Sequence, residues 1–379
     1  MTTIVQICPE IAPGSGVGGV AYHLEKEWKA QGVTVERFTL EDVFGSWIPR
    51  LSGGLAGKLA LLVRVLWFST AGTLLARQKI RGRSDVISVC HNDAMVGDIY
   101  VNHGIVQAAM RARGGYWWRM ARNPLHLFTA WRDRMRYSGR AGHRLVVNLV
   151  AGEEQVLRRT YRSLSVPTVV IGNGVDVERF TVPTSAEREV ERRRLGVTGD
   201  DQVLLFVGHE FDRKGLRVVI DALDRLPPET HLVVVGGTPE MIQNASQPLH
   251  ARGLAGRVHF VGAQPDPRPY FRAADVFVLP SAYESHALVI LEALACGVPV
   301  VATPTGSAPD VLRDGVNGYV VEADAGEMAD RIRRLRERPR LELQKEARTT
   351  AEQHSWARVA QNYLDVMTAQ LSAHFTEAR

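Results

Sequence analysis

The sequence predicts an α/β chain of two wound halves, each a parallel sheet with crossover helices. Three observations carry that reading. Short apolar runs bounded by Gly and Pro alternate with longer helix-like stretches along the whole chain. In the second half the apolar runs end on glycine or a small or polar residue, which lets the chain turn sharply toward a helix. The length, 379 residues, suits two domains of roughly 100–200 residues each.

Taken in order, the expected strands of the first half are residues 3–8, 34–40, 86–90, 99–102, 144–148 and 168–171. In the second half VLLFVG ends at Gly208, HLVVVGG at Gly237, VHFVG at Gly262, VFVLPS at Ser281, VPVVAT at Thr303 and GYVVE at Glu322. NGVD and the polar stretch after it, residues 173–184, interrupt both periods and mark a boundary. The expected division is an N-terminal domain over 1–172 and a C-terminal domain over 173–355. A charged helix over 325–338 then leads to a final helix over 356–379 that docks back on the first domain. Two such sheets imply a cleft between them, because open α/β sheets bind ligands at their carboxyl edge.

Composition narrows the class. With 45% hydrophobic and 23% charged residues the chain is neither disordered nor membrane-saturated. Its three cysteines, Cys8, Cys90 and Cys296, form no CxxC pair, which fits a reducing compartment better than a disulfide framework or a zinc site. The start, MTTIVQICPEIAPG, lacks a basic n-region and a long apolar stretch, so no cleaved signal is expected and the chain is placed in the cytoplasm. The most hydrophobic stretch, 55–76, is broken by Lys58 and Arg64 and is not expected to span a membrane.

Charge is unevenly placed. Residues 45–145 hold 16 Lys and Arg against four Asp and no Glu, a local net charge of +12 in a chain whose total is +5. The same window holds five of the seven tryptophans, interleaved with arginine as in YWWRMARNPLHLFTAWRDRMR. Aromatic rings beside cations suit the headgroup level of an anionic membrane. Leu51, Leu55, Leu59, Leu62 and Leu66 define one helical face there, as an amphipathic helix would; a core helix with solvated arginines is the plainer alternative. Nucleic acid ranks lower as a partner, since no helix-turn-helix, zinc-finger or RNP pattern accompanies the charge.

Two stretches carry chemistry. After the first strand, PGSGVGG matches GxGxxG at Gly14, Gly16 and Gly19, before a helix expected over 20–31. Such a loop presents backbone N–H groups to phosphate, and Glu36, 17 residues on, offers a ribose-binding acid to a nicotinamide-dependent oxidoreductase. Against that reading, PEIAP separates the strand from the first glycine. In the second half, GHEFDRKG sets Arg213 and Lys214 just before a helix, where two cations stabilise a departing diphosphate. In ESHALVILE, Glu284 stands on a loop and Glu292 one to two turns into a helix, so the two carboxylates address different hydroxyls of one elongated ligand.

Residues 204–320, with VGHEFDRKG, AADVFVLPSAYESHALVILEALACGVPVVAT, TGSAPDVL and DGVNGYVV, resemble the nucleotide-sugar-binding half of glycosyltransferase family 4. The likeness extends more faintly over the first half through Gly18-Gly19, His103-Gly104 and NGVD. It implies a GT-B fold, two facing Rossmann-like domains around a cleft. It also implies a retaining, metal-independent hexosyltransferase of the 2.4.1 type that uses a UDP- or GDP-linked sugar.

By the resemblance, Glu292 binds the donor ribose, Glu284 lies near the donor sugar, and Arg213 and Lys214 contact the diphosphate. Gly18 and Gly19 bring amides to it, and Gly208, Val261, Ala287 and Leu288 line the nucleotide site. His103 contacts the donor sugar or its β-phosphate, a role for which His91 competes. His209 replaces an arginine common in the family, and Ser285, His286 and Ala287 replace a Gly-Phe-Gly type run. No DxD triplet occurs, in keeping with metal independence. The expected acceptor is a lipid-linked or cell-envelope glycan at the inner membrane face, reached through the basic tryptophan-rich segment. A GT-B nucleotide-sugar epimerase, which needs no acceptor, is the alternative.

Overall fold

The computed structural model describes residues 2–14, 16–49, 54–112 and 114–377. In the first half, β1 is Thr3–Ile7, β2 Val35–Phe38, β3 Val86–His91, β4 Ile99–Asn102, β5 Leu145–Asn148 and β6 Thr168–Val170. In the second, β7 is Gln202–Val207, β8 Thr230–Val235, β9 Val258–Gly262, β10 Val276–Leu279, β11 Val300–Ala302 and β12 Gly318–Val320. Each apolar run expected from the sequence is one of these strands. The reason is double-sided burial: helices cover both faces of each sheet, so strands such as β1, β5 and β10 are buried at every position and read as unbroken apolar runs.

The chain divides into two compact units, one of residues up to 173 together with the helix from Trp356, the other of Gly174–Ser355. The first sheet has the order β2-β1-β3-β4-β5-β6 and the second β12-β11-β10-β7-β8-β9, with neighbours parallel in both. Counted from its own first strand, the second sheet is the doubly wound 3-2-1-4-5-6 arrangement, whose order reverses between β7 and β10. The first sheet reverses between β1 and β3. Ligands in such sheets sit outside the carboxyl ends of the strands at that reversal.

The second unit's core packs Leu204, Phe206, Val233, Phe277 and Leu291 around the sheet. In the first unit, one face of the sheet packs on Leu24, Trp28, Val89 and Tyr363, the other on Ile7, Phe68, Tyr137 and Val146. The terminal helix Trp356–Glu377 belongs to the former: the Trp28 indole donates to the Ala360 carbonyl at 3.1 Å, and the His23 and Trp356 rings stack at 5.0 Å.

Three expectations need correction. The helix after β1 begins at Gly16, not Val20, so Gly16, Gly18 and Gly19 lie in its first turn. Only Gly14, at φ +77°, makes the preceding turn. The run Ala56–Ile80 is, by length and composition, apolar enough to cross a membrane despite Lys58 and Arg64, with a mean hydropathy of 1.7 and a third of its most apolar stretch buried. It meets the core through Val65, Phe68 and Ala76, while Arg64 pairs with Glu10 at 3.0 Å. The leucine stripe is therefore not the buried face: Leu59 is 60% exposed, Leu51 lies outside the described residues, and the Leu55 side chain is likewise not described.

Candidate functional site

The site of the second unit is built at the reversal between β7 and β10. From β7 the chain passes Gly208 into a one-turn helix, Phe211–Lys214, which carries both cations just ahead of the helix Leu216–Leu223. From β10 it passes Pro280 and Ser281 to Glu284. Three glycines hold these loops together. At Gly208 a Cβ would sit 2.1 Å from Lys214 Cδ; at Gly215, φ +76°, 2.2 Å from the Pro280 carbonyl oxygen; at Gly236, φ +111°, 2.2 Å from the Gly208 carbonyl oxygen. At Gly215 and Gly236 only glycine permits that combination of positive φ and backbone approach.

The approach brings Arg213, Lys214 and Glu284 into one cluster. Lys214 Nζ donates to Glu284 Oε1 at 2.9 Å, the Ser281 hydroxyl donates to the same oxygen at 2.9 Å, and Arg213 Nη1 lies 3.2 Å from it. Arg213 is further fixed by Glu210 at 2.7 Å and by the Tyr283 carbonyl. Burial pulls the Arg213 guanidinium down, but Glu284 and Glu210 outweigh it and hold its pKa above the ordinary value. All three contacts converge on Oε1, so Glu284 Oε2 remains available to a ligand hydroxyl. An ammonium has three N–H groups and a guanidinium five, so both cations keep donors for an incoming phosphate.

Glu292 lies on the helix Leu288–Ala295, and its carboxyl group makes no hydrogen bond or ion pair among the described residues. Burial pushes its carboxyl up to about 7, with the fields of Arg179 and Lys214 acting the other way. Leu288 opens that helix and Ala287 precedes it at φ +64°, a conformation that costs an L side chain about 1–2 kcal/mol. Alanine at this position thus bends as glycine would. The Val261 carbonyl already accepts from Gln264 Nε2 at 2.7 Å, which ties up one backbone group of the expected nucleotide site. His209 is exposed.

In the first unit, His103 follows β4 and His91 ends β3. They are partners, not competitors: His91 Nδ1 and His103 Nε2 are 3.2 Å apart, and His91 Nε2 is 3.0 Å from Gln6 Oε1. Gln6 in turn donates to the Ala21 carbonyl at 2.9 Å, so its oxygen faces His91. His91 Nε2 then carries hydrogen and its Nδ1 accepts from His103 Nε2–H, which leaves His103 Nδ1 as a bare acceptor. Burial lowers the His103 pKa to about 4 and keeps the ring neutral. Glu36 is engaged elsewhere, in a bidentate pair with Arg83 at 2.9 and 3.0 Å, so the dinucleotide reading loses its ribose acid.

Sequence reasoning missed Ser281 and Gly306. A Cβ on Gly306, φ +57°, would fall 2.8 Å from Glu284 Cβ, and Thr303 Oγ1 donates to the Ser281 carbonyl at 2.6 Å. The TGSAPDVL motif contains Gly306, so the signal was present without its purpose. Among the described residues no group of three or more His, Cys, Asp or Glu is placed to hold a metal ion.

The charge of residues 45–145 also resolves. Arg132 and Arg136 are buried, paired with Asp93 and Asp133 at 2.8 Å each, and unavailable to any partner. By contrast Trp117 is 82% exposed, Trp118 61% and Trp131 57%. They lie on the helices Tyr116–Arg122 and Pro124–Met135 among the exposed Arg122 and Arg134; the Arg122 guanidinium stands 4.7 Å over the Trp118 ring. The one acidic residue of that stretch is the buried Asp133.

With twelve parallel strands in two wound sheets and this cluster at the second reversal, the architecture is that of a GT-B protein. Residues 187–354 match the family of glycosyl transferases group 1. A D-inositol 3-phosphate glycosyltransferase of Xylanimonas cellulosilytica is 36% identical over 208 residues, covering 52% of this chain and 50% of the relative. The matched stretch thus spans about half the length of that relative. Among solved structures, sucrose-phosphate synthase from Thermosynechococcus elongatus is similar with a TM-score of 0.74 at 20% identity, over 98% of this chain and 100% of that one. Anabaena HepE in complex with UDP-glucose is similar with a TM-score of 0.63 at 19% identity, over 97% and 100%. Both show the shared fold.

Proposed function

We propose that this chain transfers a hexosyl unit from a nucleoside-diphosphate sugar to an acceptor hydroxyl with retention at the anomeric carbon. The observation that carries the reading is the Arg213–Lys214–Glu284 cluster at the β7/β10 reversal, one helix away from an unpaired Glu292. Glu292 accepts the two ribose hydroxyls. Glu284, its Oε1 pinned by Lys214 and Ser281, offers Oε2 to a sugar hydroxyl. In the reaction the bond from the anomeric carbon to the diphosphate oxygen breaks and one to the acceptor oxygen forms on the same face, with the acceptor proton passing to the departing phosphate. Negative charge grows on that phosphate, where Arg213 and Lys214 stabilise it, so the step is proposed without a metal. The group 1 match and the UDP-glucose named for the HepE neighbour support a nucleotide-sugar donor. Replacing Lys214 or Glu284 with Ala tests the assignment by transfer from UDP- and GDP-hexoses. Both variants should lose transfer while remaining folded; near-normal turnover in both would sink the proposal.

The acceptor in this reading is a lipid-linked or cell-envelope glycan, met by a peripheral enzyme at the cytoplasmic face of the membrane. Support comes from Trp117, Trp118 and Trp131, large rings exposed among arginines in a stretch with no exposed carboxylate. Rings of this kind settle at the headgroup level while arginine meets lipid phosphate. Co-sedimentation with anionic and with neutral vesicles is the test. Retention by anionic vesicles that is lost on changing the three tryptophans to Ala is expected, and failure to bind either vesicle would remove the support.

A further inference from the structure

A cavity of about 190 Å³ opens beside Gln202, Val276 and Pro299, at the amino-terminal edge of β7, β10 and β11. Chain topology puts it at the opposite sheet edge from Lys214 and Glu284, which follow the carboxyl ends of β7 and β10. Arg188, Arg272, Arg336, Arg338 and Arg340 line it, against Asp200, Asp201 and Asp275.

Two of those carboxylates are already committed. Asp275 is shared between Arg188 at 2.5 Å and Arg192 at 3.1 Å, and it accepts the Val203 N–H at 2.9 Å. Asp201 accepts the backbone N–H and the hydroxyl of Thr198 at 2.6 and 2.9 Å. Among the lining residues five arginines stand against three aspartates. Arg336 and Arg338 reach Glu229 and Glu342 at 3.0 and 3.2 Å, Arg338 also donates to the Gly315 carbonyl, and Arg272 lies 3.7 Å from Glu187; such exposed pairs contribute little and leave guanidinium donors over. Arg340 has no hydrogen-bond or ion-pair partner among the described residues. It opens the 14-residue helix Arg340–Gln353, whose start has no side-chain cap, so the positive end of that helix also faces this region.

Arg188 is the buried member, with a side chain 10% exposed that donates to the carbonyls of Ala273 and Ala274 at 3.0 and 2.7 Å. Burial pushes its pKa down to about 10, and the charges of Arg340 and Arg192 push the same way against Asp275. That mutual repulsion is what an added anion relieves. At ~30 Å³ per water the hollow holds roughly six waters, more than a bare phosphate needs.

We propose that this hollow binds a small organic anion through a phosphoryl group, separately from the donor site. The ligand would bridge Arg188 on the helix Ser185–Arg194, Arg336 on Ala325–Arg336 and Arg340 on Arg340–Gln353. Free phosphate and a phosphorylated metabolite share this chemistry. Thermal stability and calorimetric binding of the whole chain, with inorganic phosphate and with glycerol phosphate at constant ionic strength, test it.

Three proteins are compared: wild type, Lys214→Ala, and the double variant Arg336→Ala with Arg340→Ala, whose two side chains are exposed and leave the core intact. Both probes should bind wild type and Lys214→Ala alike, glycerol phosphate more tightly, and the double variant at least tenfold more weakly. No binding at millimolar concentration, equal binding to the double variant, or loss confined to Lys214→Ala would each overturn the proposal, the last by moving the anion to the donor site. Because Lys214 and the arginine pair are changed separately, failure here leaves the transferase reading standing.

Discussion

Replacing Glu292 with Gln should strip a specific pH dependence from nucleotide binding. The Glu292 carboxyl, pushed up to about 7 by burial, is half protonated at neutral pH in the free chain. Only the carboxylate accepts two ribose hydroxyls at once, since a carboxylic acid spends one oxygen as a donor. Apparent affinity is reduced by the fraction of protein in the competent form. With a pKa near 7 that fraction is about one eleventh at pH 6 and about ten elevenths at pH 8. The dissociation constant of UDP or GDP should therefore fall about tenfold between those pH values, about 1.4 kcal/mol, from this group alone.

The nucleotide's own phosphate also titrates near pH 6, which is why the variant is the reference. In Glu292→Gln the side chain keeps its size and an acceptor oxygen but no longer ionises. Calorimetric titration of both proteins at pH 6, 7 and 8 then isolates the contribution of Glu292 as the difference between two curves. Binding by the variant should be weaker at pH 8 and nearly equal to wild type at pH 6. Parallel curves would refute the reasoning, because they would mean either that Glu292 does not touch the nucleotide or that its carboxyl is ionised throughout.

The same carboxyl makes a stability prediction. Its folded pKa lies above the unfolded value, so the folded state holds the extra proton between about pH 4.3 and 7 and loses stability as pH rises through that window, on the order of 3–4 kcal/mol. Glu292→Gln should flatten that slope in denaturant titrations. Histidine acts oppositely in the first unit: burial lowers His103 to about 4 and His143 to about 3, so stability is held above pH 6.5 and falls on acidification toward those values. Melting temperature measured from pH 7 to 5 should drop, and less so when His143 is replaced by Gln. At the backbone, Gly215→Ala should cost about 2–4 kcal/mol, from a positive φ and a Cβ 2.2 Å from the Pro280 carbonyl, while Ala287→Gly should be neutral or stabilising by up to about 1 kcal/mol. Gly208→Ala meets only the flexible stem of Lys214, so its loss should appear in transfer rate far more than in the unfolding midpoint.

The strands were legible because burial on both faces demands continuous apolar runs, and VLLFV or VFVL admits little else. Strand order was not, since nothing local in β10 says that it pairs with β7 rather than with β9. The glycine loop was misplaced for a physical reason: three glycines in one turn argue against a helix by propensity, yet packing of Val20, Ala21 and Leu24 carries the helix back to Gly16. The leucine stripe failed similarly. Leu59, Leu62 and Leu66 share a face, but the core takes the neighbouring one through Val65, Phe68 and Ala76, and a spacing pattern does not say which of two apolar faces meets the sheet.

Charge shows the limit most sharply, because composition counts cations without their partners. Arg132 and Arg136 looked equivalent to Arg122 and Arg134 in the sequence, and the fold separates them completely, two sealed against Asp93 and Asp133 and two left in solvent. The converse holds in the second unit. Arg213 and Lys214 looked like free cations, and both are tethered to Glu284 before any ligand arrives. That tether bears on the proposed transfer. A cation already oriented by a carboxylate loses little further freedom when it meets the leaving phosphate, whereas an untethered lysine must be ordered at that moment. Removing Glu284 should therefore slow transfer even from donors whose sugar lacks the hydroxyl that Oε2 would hold. If Glu284→Ala impaired only donors bearing that hydroxyl, orientation of Lys214 would not be part of its role.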